Sequence, residues 1–512
     1  MPLTSTRSTG GNGLAELHSV GSADEATAVA LLNCLIREVS GPAGRVRDDG
    51  DRLAVELAHT TVTARLARPS HGPSPRLAGP FTAGDADLGW REVAELVAAE
   101  LALRTGTDNP EFLRQVASSH EAMSVFARSG RTDSGLRPLL ASEQSLHAGH
   151  RFHPSPKSRQ GSPAAWLPYA PEAGARFRLR LLGADPELLD GTGDFSALAE
   201  EGVLPVHPWQ WRLLQERPLL REALSHGLLR DLGEGEEVVP TSSVRTVFAP
   251  ACGLFAKFSL DVRITNCVRK NAWYELAAAP VLTGLLKPLL GEGLLGEPAY
   301  RTVALADRTL YEGLGVILRE GAPENAVMAA ALADPYGRFL PAEIDLLAYW
   351  EAYVQAVALP VLRLFFEHGV VLEPHLQNVL IVPDADGMPV RAVFRDLEGT
   401  KLLPGWELEE LPQRAREAVT YDEERGWNRV AYCLFVNHLA ELAAALADRE
   451  PDCEPVLWKT AARLLEEFSG HRRMREVLEG APLPAKANLL ARWSRSADRA
   501  AGYVMVTNPL AG

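Results

Sequence analysis

Cysteine is scarce in this 512-residue chain: Cys34, Cys252, Cys267, Cys433 and Cys453, with no CxxC pair. Scattered single thiols exclude a disulfide frame and a cysteine-based zinc site, and they suit a reducing compartment. Positive charge is short as well. Lys and Arg number 52 against 66 Asp and Glu, a net charge of −14, which argues against a nucleic-acid partner. Apolar runs are too short or too interrupted to span a bilayer. The first 22 residues hold one arginine and no long apolar run, so no signal peptide is visible. The expectation is a cytoplasmic protein that engages neither membrane nor nucleic acid.

What is there is an ordinary globular composition, 46% hydrophobic and 23% charged, on a chain longer than a single core needs. Apolar residues recur at helical spacing over 23–39, 89–106 and 110–130. Residues 52–67 alternate like a hairpin. Strand patterns dominate from about 140 to 270, helical ones from 271, and a hairpin interrupts these near 379–397. No internal repeat is visible. The pattern predicts an α+β protein in three regions: a helix-rich 1–140, a mixed α/β region 141–300, and a helix-rich 301–512 carrying the hairpin.

Polar chemistry concentrates in few places. "VLEPHLQN" (371–378) follows an apolar run and brings an acid, an imidazole and two amides within six residues. Beyond it lie a β-branched run at 379–382, an Asp386-Gly387 turn signal and a second strand ending at Asp396. A turn centred there makes paired positions sum to about 773, which sets Asn378 opposite 395 and beside Asp396. Such hard oxygen donors suit Mg²⁺ carried on a nucleotide phosphate. Glu373, His375 and Gln377 share a face if the segment is extended.

The segment 241–271 carries Arg245, Lys257, Arg263, Arg269 and Lys270 against one acid, Asp261. A local charge of +4 in an acidic chain suggests a cleft that focuses an anion. Strict alternation from Lys257 predicts one half-buried strand through Thr265. Thr265 is then expected to cap a following helix, with Arg269 one turn in. Ser243 and Thr246 flank Arg245 with hydroxyl donors. In 143–161, His147, His150 and His153 fall three apart. No acid or cysteine completes a zinc set there, and Lys157 and Arg159 point to phosphate contact instead.

Together "GHRFHPSPKSRQG", "LPVHPWQ", "TSSVRT", "KFSLDVRITNCVR", "HGVVLEPHLQN" and "RDLEG", in this order, resemble the NRPS-independent siderophore synthetases of the IucA/IucC (aerobactin synthetase-like) family. The likeness covers about 140–510, including the tail 483–510. It implies a hand-like, three-part α+β fold with a kinase-like β-hairpin, and a nucleotide cleft between the middle and C-terminal parts. It implies ATP- and Mg²⁺-dependent adenylation of citrate or a related acid, followed by condensation with an amine, hydroxylamine or alcohol, and it points to a homodimer. On the matching positions, ATP would fall to His153, Lys157, Arg159, Ser243, Arg245, Thr246, Lys257 and Gln377. The acid would fall to Thr265, Arg269 and His375, and the metal to Glu373, Asn378 and Asp396. His375, Arg269 and Lys257 would carry the catalysis.

The chain departs from the family's commoner Glu-Ala-His-Gly-Gln-Asn loop at Pro374 and Leu376. After the Asp, Leu397-Glu398 replaces a Phe and a polar amide. These changes are expected to stiffen the loop without touching the proposed ligands. Two other functions fit parts of the pattern: a kinase-like phosphotransferase using Asn378, Asp396 and Lys257, and a non-catalytic carrier of citrate or a siderophore.

Overall fold

The computed structural model describes residues 22–129, 135–265, 267–496 and 502–511. The first helix, Ala23–Leu35, starts on Ser22, whose hydroxyl accepts from the Glu25 N–H at 3.2 Å. It is buried on all sides from Thr27 to Leu35 because helices Trp90–Thr105 and Pro110–Ser129 pack on it together with a sheet. It ends in a π-helical turn, Ile36–Ser40. The hairpin expected at 52–67 is present as Arg52–Glu56 paired with Thr61–Leu66. It is the centre of a five-stranded antiparallel sheet, since Val46–Asp48, Leu77–Ala83 and Ala86–Leu88 add to it. Those three are short or broken by Gly and Pro, which hides their alternation. Leu489 and Trp493, from the far end of the chain, close this first core.

The middle region is an eight-stranded antiparallel sheet. Its order is Leu189–Thr192, Ala299–Val303, Val316–Arg319, Leu254–Phe258, Thr246–Ala249, Leu229–Pro240, Phe177–Ala184 and Val203–Val206. The boundary expected at 300 therefore falls inside one of its strands, and Val316–Arg319 comes from beyond it. The single strand expected from Lys257 to Thr265 is instead two. The chain leaves the sheet at Ser259, whose N–H donates to the Gly315 carbonyl (3.1 Å) and whose hydroxyl donates to the Glu312 carbonyl (2.5 Å). Leu260–Ile264 then pairs with Cys267–Arg269 in a separate hairpin.

In the C-terminal region, Asp345 caps the helix Leu346–His368 by accepting from the Leu347 and Ala348 N–H groups, both at 3.0 Å, and Gly369 ends it in the left-handed conformation. The predicted hairpin forms in the expected register, with Val379 opposite Phe394 and Val382 opposite Arg391. Val327–Met328 joins it as a third strand. Helices follow, and Leu483–Lys486 pairs with Tyr503–Val506. One expectation needs correction. The continuous helical run Glu423–Ala447 is long and apolar enough to cross a membrane, with a mean hydropathy of 1.6. Its apolar stretch is buried in the core, as in the buried helices of folded domains, and only its first turn, Glu423 to Arg425, is exposed.

Candidate active site

The centre of the site is a buried knot of charge where the middle sheet meets the C-terminal hairpin. Lys257, 1% exposed, donates from Nζ to Asp396 Oδ1 at 2.5 Å and lies 2.9 Å from Glu398 Oε2. Arg245 donates to Glu398 Oε2 and to Asn271 Oδ1, each at 2.6 Å. Arg319 binds Glu297 at 2.6 Å and approaches Asp396 at 3.5 Å. Asn271 is pinned by donating to the Lys257 and Gly315 carbonyls. Burial alone would raise the Asp396 carboxyl, but Lys257 and Arg319 outweigh it and hold Asp396 well below the usual carboxylate range. Against the same burial, Lys257 and Arg245 hold Glu398 at about 2. Glu275 is pushed up to about 7 by burial and by Glu398, which outweigh the pull of Lys257 and Arg245.

Glu398 thus overturns one expectation. The departure after Asp396 does touch the proposed ligands, since its carboxylate bridges Lys257 and Arg245.

Backbone strain gathers here too. Among the described residues the non-glycine positions with positive φ are Val244 (69°), Thr265 (56°), Asp396 (72°) and Arg495 (55°), and the first three belong to the site segments. Val244 is β-branched, and the turn around it is held by Thr241 N–H to the Thr246 carbonyl, Val244 N–H to the Thr241 carbonyl, and Thr246 N–H to the Ser243 hydroxyl. Thr265 corrects another expectation. It turns between two strands rather than capping a helix, and the next helix starts only at Trp273. Arg269 still meets it, donating to the Thr265 hydroxyl at 3.0 Å across the hairpin.

The loop 371–378 leaves the short strand Val370–Val371 and turns after His375, with the Asn378 N–H donating to the His375 carbonyl. The π-helical segment Tyr432–Leu439 fixes it from behind. His438 Nδ1 donates to the Pro374 carbonyl (2.8 Å), and its Nε2 accepts from the Tyr353 hydroxyl (2.6 Å). Asn437 Oδ1 accepts from the Leu376 N–H, and its Nδ2 meets His150 Nε2. Gln377 donates to the Ser242 hydroxyl, tying this loop to the Val244 turn. Asn378 donates to the Glu373 carbonyl, which orients its amide. The Glu373 carboxylate is paired with Arg429. A Cβ at position 399 would lie 1.9 Å from Glu373 Oε2, so only Gly399 lets that carboxylate sit there. Burial lowers His375 below the usual imidazole value, although Glu373 and Asp396 pull the other way. His438→Ala is expected to cost about 2–3 kcal/mol in urea unfolding, because it strips the partners of the Pro374 carbonyl and the Tyr353 hydroxyl.

The histidine segment has its own anchor. Lys157 Nζ lies 2.6 Å from Glu172, and Arg159 grips both oxygens of that carboxylate at 2.7 Å. His153 Nδ1 accepts from the Ser155 N–H. Lys157 and Arg159 thus face Glu172, not Asp396 or Glu398. Burial would raise Glu172, but Arg159 and Lys157 hold it at about 2 against an ordinary 4.5. A depressed carboxyl stabilises the fold above its unfolded pKa, and that contribution fades as pH falls from about 4.5 toward 2. Glu172→Gln is expected to cost about 3 kcal/mol at pH 7, with the difference from wild type shrinking between pH 5 and 3 in denaturant titrations.

Several of these residues carry little sequence signal. Asn437-His438 interrupts the apolar run 430–447, a visible anomaly, whereas Asn271, Glu172, Arg319 and Arg429 look like ordinary polar positions.

The profile of the IucA/IucC family matches residues 138–334, and that of the ferric iron reductase FhuF-like transporters matches 347–501. The L-2,3-diaminopropanoate–citrate ligase of Staphylococcus aureus (strain NCTC 8325 / PS 47) is 31% identical over 462 residues, covering 78% of this chain and 79% of its own. The chain belongs to the IucA/IucC family. A second family relative, the spermidine–citrate ligase of Bacillus anthracis, is 28% identical over 79% of this chain and 80% of its own. In fold, the chain superposes on ATP-bound aerobactin synthetase IucA from a hypervirulent pathotype of Klebsiella pneumoniae with a TM-score of 0.83, at 22% identity, over 95% of this chain and 99% of that one. A superposition that extensive takes in the FhuF-like stretch, so 347–501 is part of the same synthetase fold.

Proposed function

We propose that this IucA/IucC family member is an ATP-dependent siderophore synthetase. It would adenylate citrate or a related carboxylic acid and condense it with an amine, hydroxylamine or alcohol, releasing AMP and pyrophosphate. The observation that carries this is the convergence of Lys257 and Arg245 on Asp396 and Glu398. Bringing a polyanionic acid to a triphosphate costs roughly 4 kcal/mol per like-charge pair at ~4 Å and an effective dielectric of about 20. Buried, oriented cations offset that repulsion and stabilise charge that grows on the reacting phosphorus.

The residues present fit both ATP and Mg²⁺. Asp396 stays ionised, and Asn378 sits across the ladder from Arg395, beside it. Among the described residues no three His, Cys, Asp or Glu side chains gather as a cage. Two oxygen donors from the chain, with phosphate and water supplying the rest, is how Mg²⁺ is commonly held. When bound, Mg²⁺ would neutralise phosphate charge. Glu373, held by Arg429, would set the shape of the loop rather than ligate. Lys257, Arg245, Ser243 and Thr246 would hold phosphates, with Gln377 bracing the turn through Ser242. His153, Lys157 and Arg159 would border the same cleft, and Arg269, Thr265 and His375 would bind the acid. His375, kept neutral by burial, could accept a hydrogen bond from the acid or from the incoming nucleophile.

The test is a screen of acids against amines with Mg-ATP, reading pyrophosphate and nucleotide products. Citrate-dependent AMP and pyrophosphate are expected. ADP in their place would reassign the site to a phosphotransferase. Citrate binding that is indifferent to Mg-ATP, with no turnover, would make the protein a carrier.

A further inference from the structure

Away from the charged knot, a cavity of about 410 Å³ opens between the first helix, the N-terminal sheet and the strand Tyr503–Val506. Arg37, on the π-helical turn, lines it and is 6% exposed. Its polar contacts are thin for a buried cation. Nη2 donates to the Pro73 carbonyl at 3.2 Å, the guanidinium lies 3.2 Å from the centre of the Phe152 ring, and Nε has no hydrogen-bond partner.

The neighbouring carboxylates are engaged elsewhere. Glu38 accepts from the Leu489 and Leu490 N–H groups at 2.9 Å each, while Glu441 faces Ser74, Arg76 and Arg151. No carboxylate among the described residues lies within ion-pair distance of Arg37. A buried guanidinium without a counter-ion is costly to keep. The remaining walls mix apolar side chains, among them Leu53, Leu66, Phe152 and Met505, with Ser70, Thr507 and one acid, the exposed Asp48, whose carboxylate accepts from the Gly50 N–H at 2.8 Å.

We propose that this cavity binds a small organic carboxylate, with its carboxylate on Arg37 and its apolar body against Leu53 and Leu66, at a site separate from the Asp396 cluster. One planar guanidinium matches one carboxylate. A single cation, with Asp48 on the same lining, disfavours phosphates, which carry more charge and hydration. The volume lies in the range of about 300–1,000 Å³ usual for small-molecule sites.

The probe is 4-bromobenzoate, soaked into crystals of the full chain and titrated calorimetrically in solution. Bromine anomalous density near Leu53 and Leu66 is expected, with the carboxylate on Arg37. Arg37→Gln should weaken solution binding at least tenfold, and Arg37→Lys should weaken it less. If Arg37→Gln fails to fold, Leu53→Trp fills the cavity and should remove both the density and the heat. Bromine found only beside Arg245 and Lys257, crystal density without solution binding, or heats unchanged in Arg37→Gln or Leu53→Trp would each overturn the proposal. None of these outcomes bears on pyrophosphate release, so the proposed synthetase activity stands or falls independently.

Discussion

Lys257→Ala and Asp396→Ala are each expected to lower acid-dependent pyrophosphate release by about 10²–10³-fold, the loss seen when one oriented transition-state charge is removed. Both groups are buried, and each is the other's closest partner at 2.5 Å. Breaking such a pair strands a charge and can cost about 3–5 kcal/mol of stability, so circular dichroism and urea unfolding must accompany the kinetics. The two variants should differ in stability. Without Lys257, Asp396 retains Arg319 at 3.5 Å, and Glu398 retains Arg245 at 2.6 Å. Without Asp396, Lys257 retains Glu398 at 2.9 Å. The double variant should be scarcely slower than either single one, because residues acting as a unit do not add. Full additivity would show that the two serve separate steps.

Glu398 sharpens the same point. In the structure its carboxylate occupies the cations proposed to receive phosphate, so a nucleotide must displace it. Glu398→Gln removes that competition and is expected to tighten nucleotide binding several-fold in calorimetric titration, with the fold intact. Weaker binding would mean that Glu398 instead orients Lys257 and Arg245 for their ligand.

Legibility in the sequence divides along a physical line. The register from Val379 to Val382 could be read because Asp386-Gly387 marks the turn and a turn sets the ladder, although an irregularity at Pro383 shifts the pair next to the turn. The amphipathic helices Trp90–Thr105 and Pro110–Ser129 could be read because their period records one buried face. The strand from Lys257 could not. Its alternation continues through Ser259, and only tertiary bonds to Gly315 and Glu312 make the chain leave the sheet there. Thr265 is equally ambiguous in sequence, since a hydroxyl four residues before an arginine suits a helix cap and a tight turn alike. Glu172 anchors the histidine segment and Arg319 approaches Asp396 through ion pairs with residues 13 or more positions away in sequence, and no local pattern encodes such pairings. The positive-φ residues Val244 and Asp396 break local preference where the site needs its geometry, which is where reading from propensity should fail.

The second large effect concerns the acid. Arg269→Ala and His375→Ala should each reduce acid-dependent pyrophosphate release by about 10²-fold or more, and the two should fail differently. Arg269 sits on the partly exposed hairpin, tethered by Thr265, and its fork offers two parallel donors to a carboxylate. Arg269→Lys keeps the charge but loses the fork, so it should recover little, and the loss should fall chiefly on the apparent affinity for the acid. His375 is held below the usual imidazole value by burial and so is neutral at pH 7. Wild-type activity should therefore show no His375-dependent fall between pH 8 and 6.5. His375→Gln, which can still hydrogen-bond but cannot take up a proton in this range, separates the two roles left to this residue. If it retains most activity, His375 only positions the acid. If it is as slow as His375→Ala while binding the acid normally, His375 moves a proton during condensation. Unchanged turnover in His375→Ala would remove the residue from the site and leave Arg269 and Thr265 as the acid's proposed anchors.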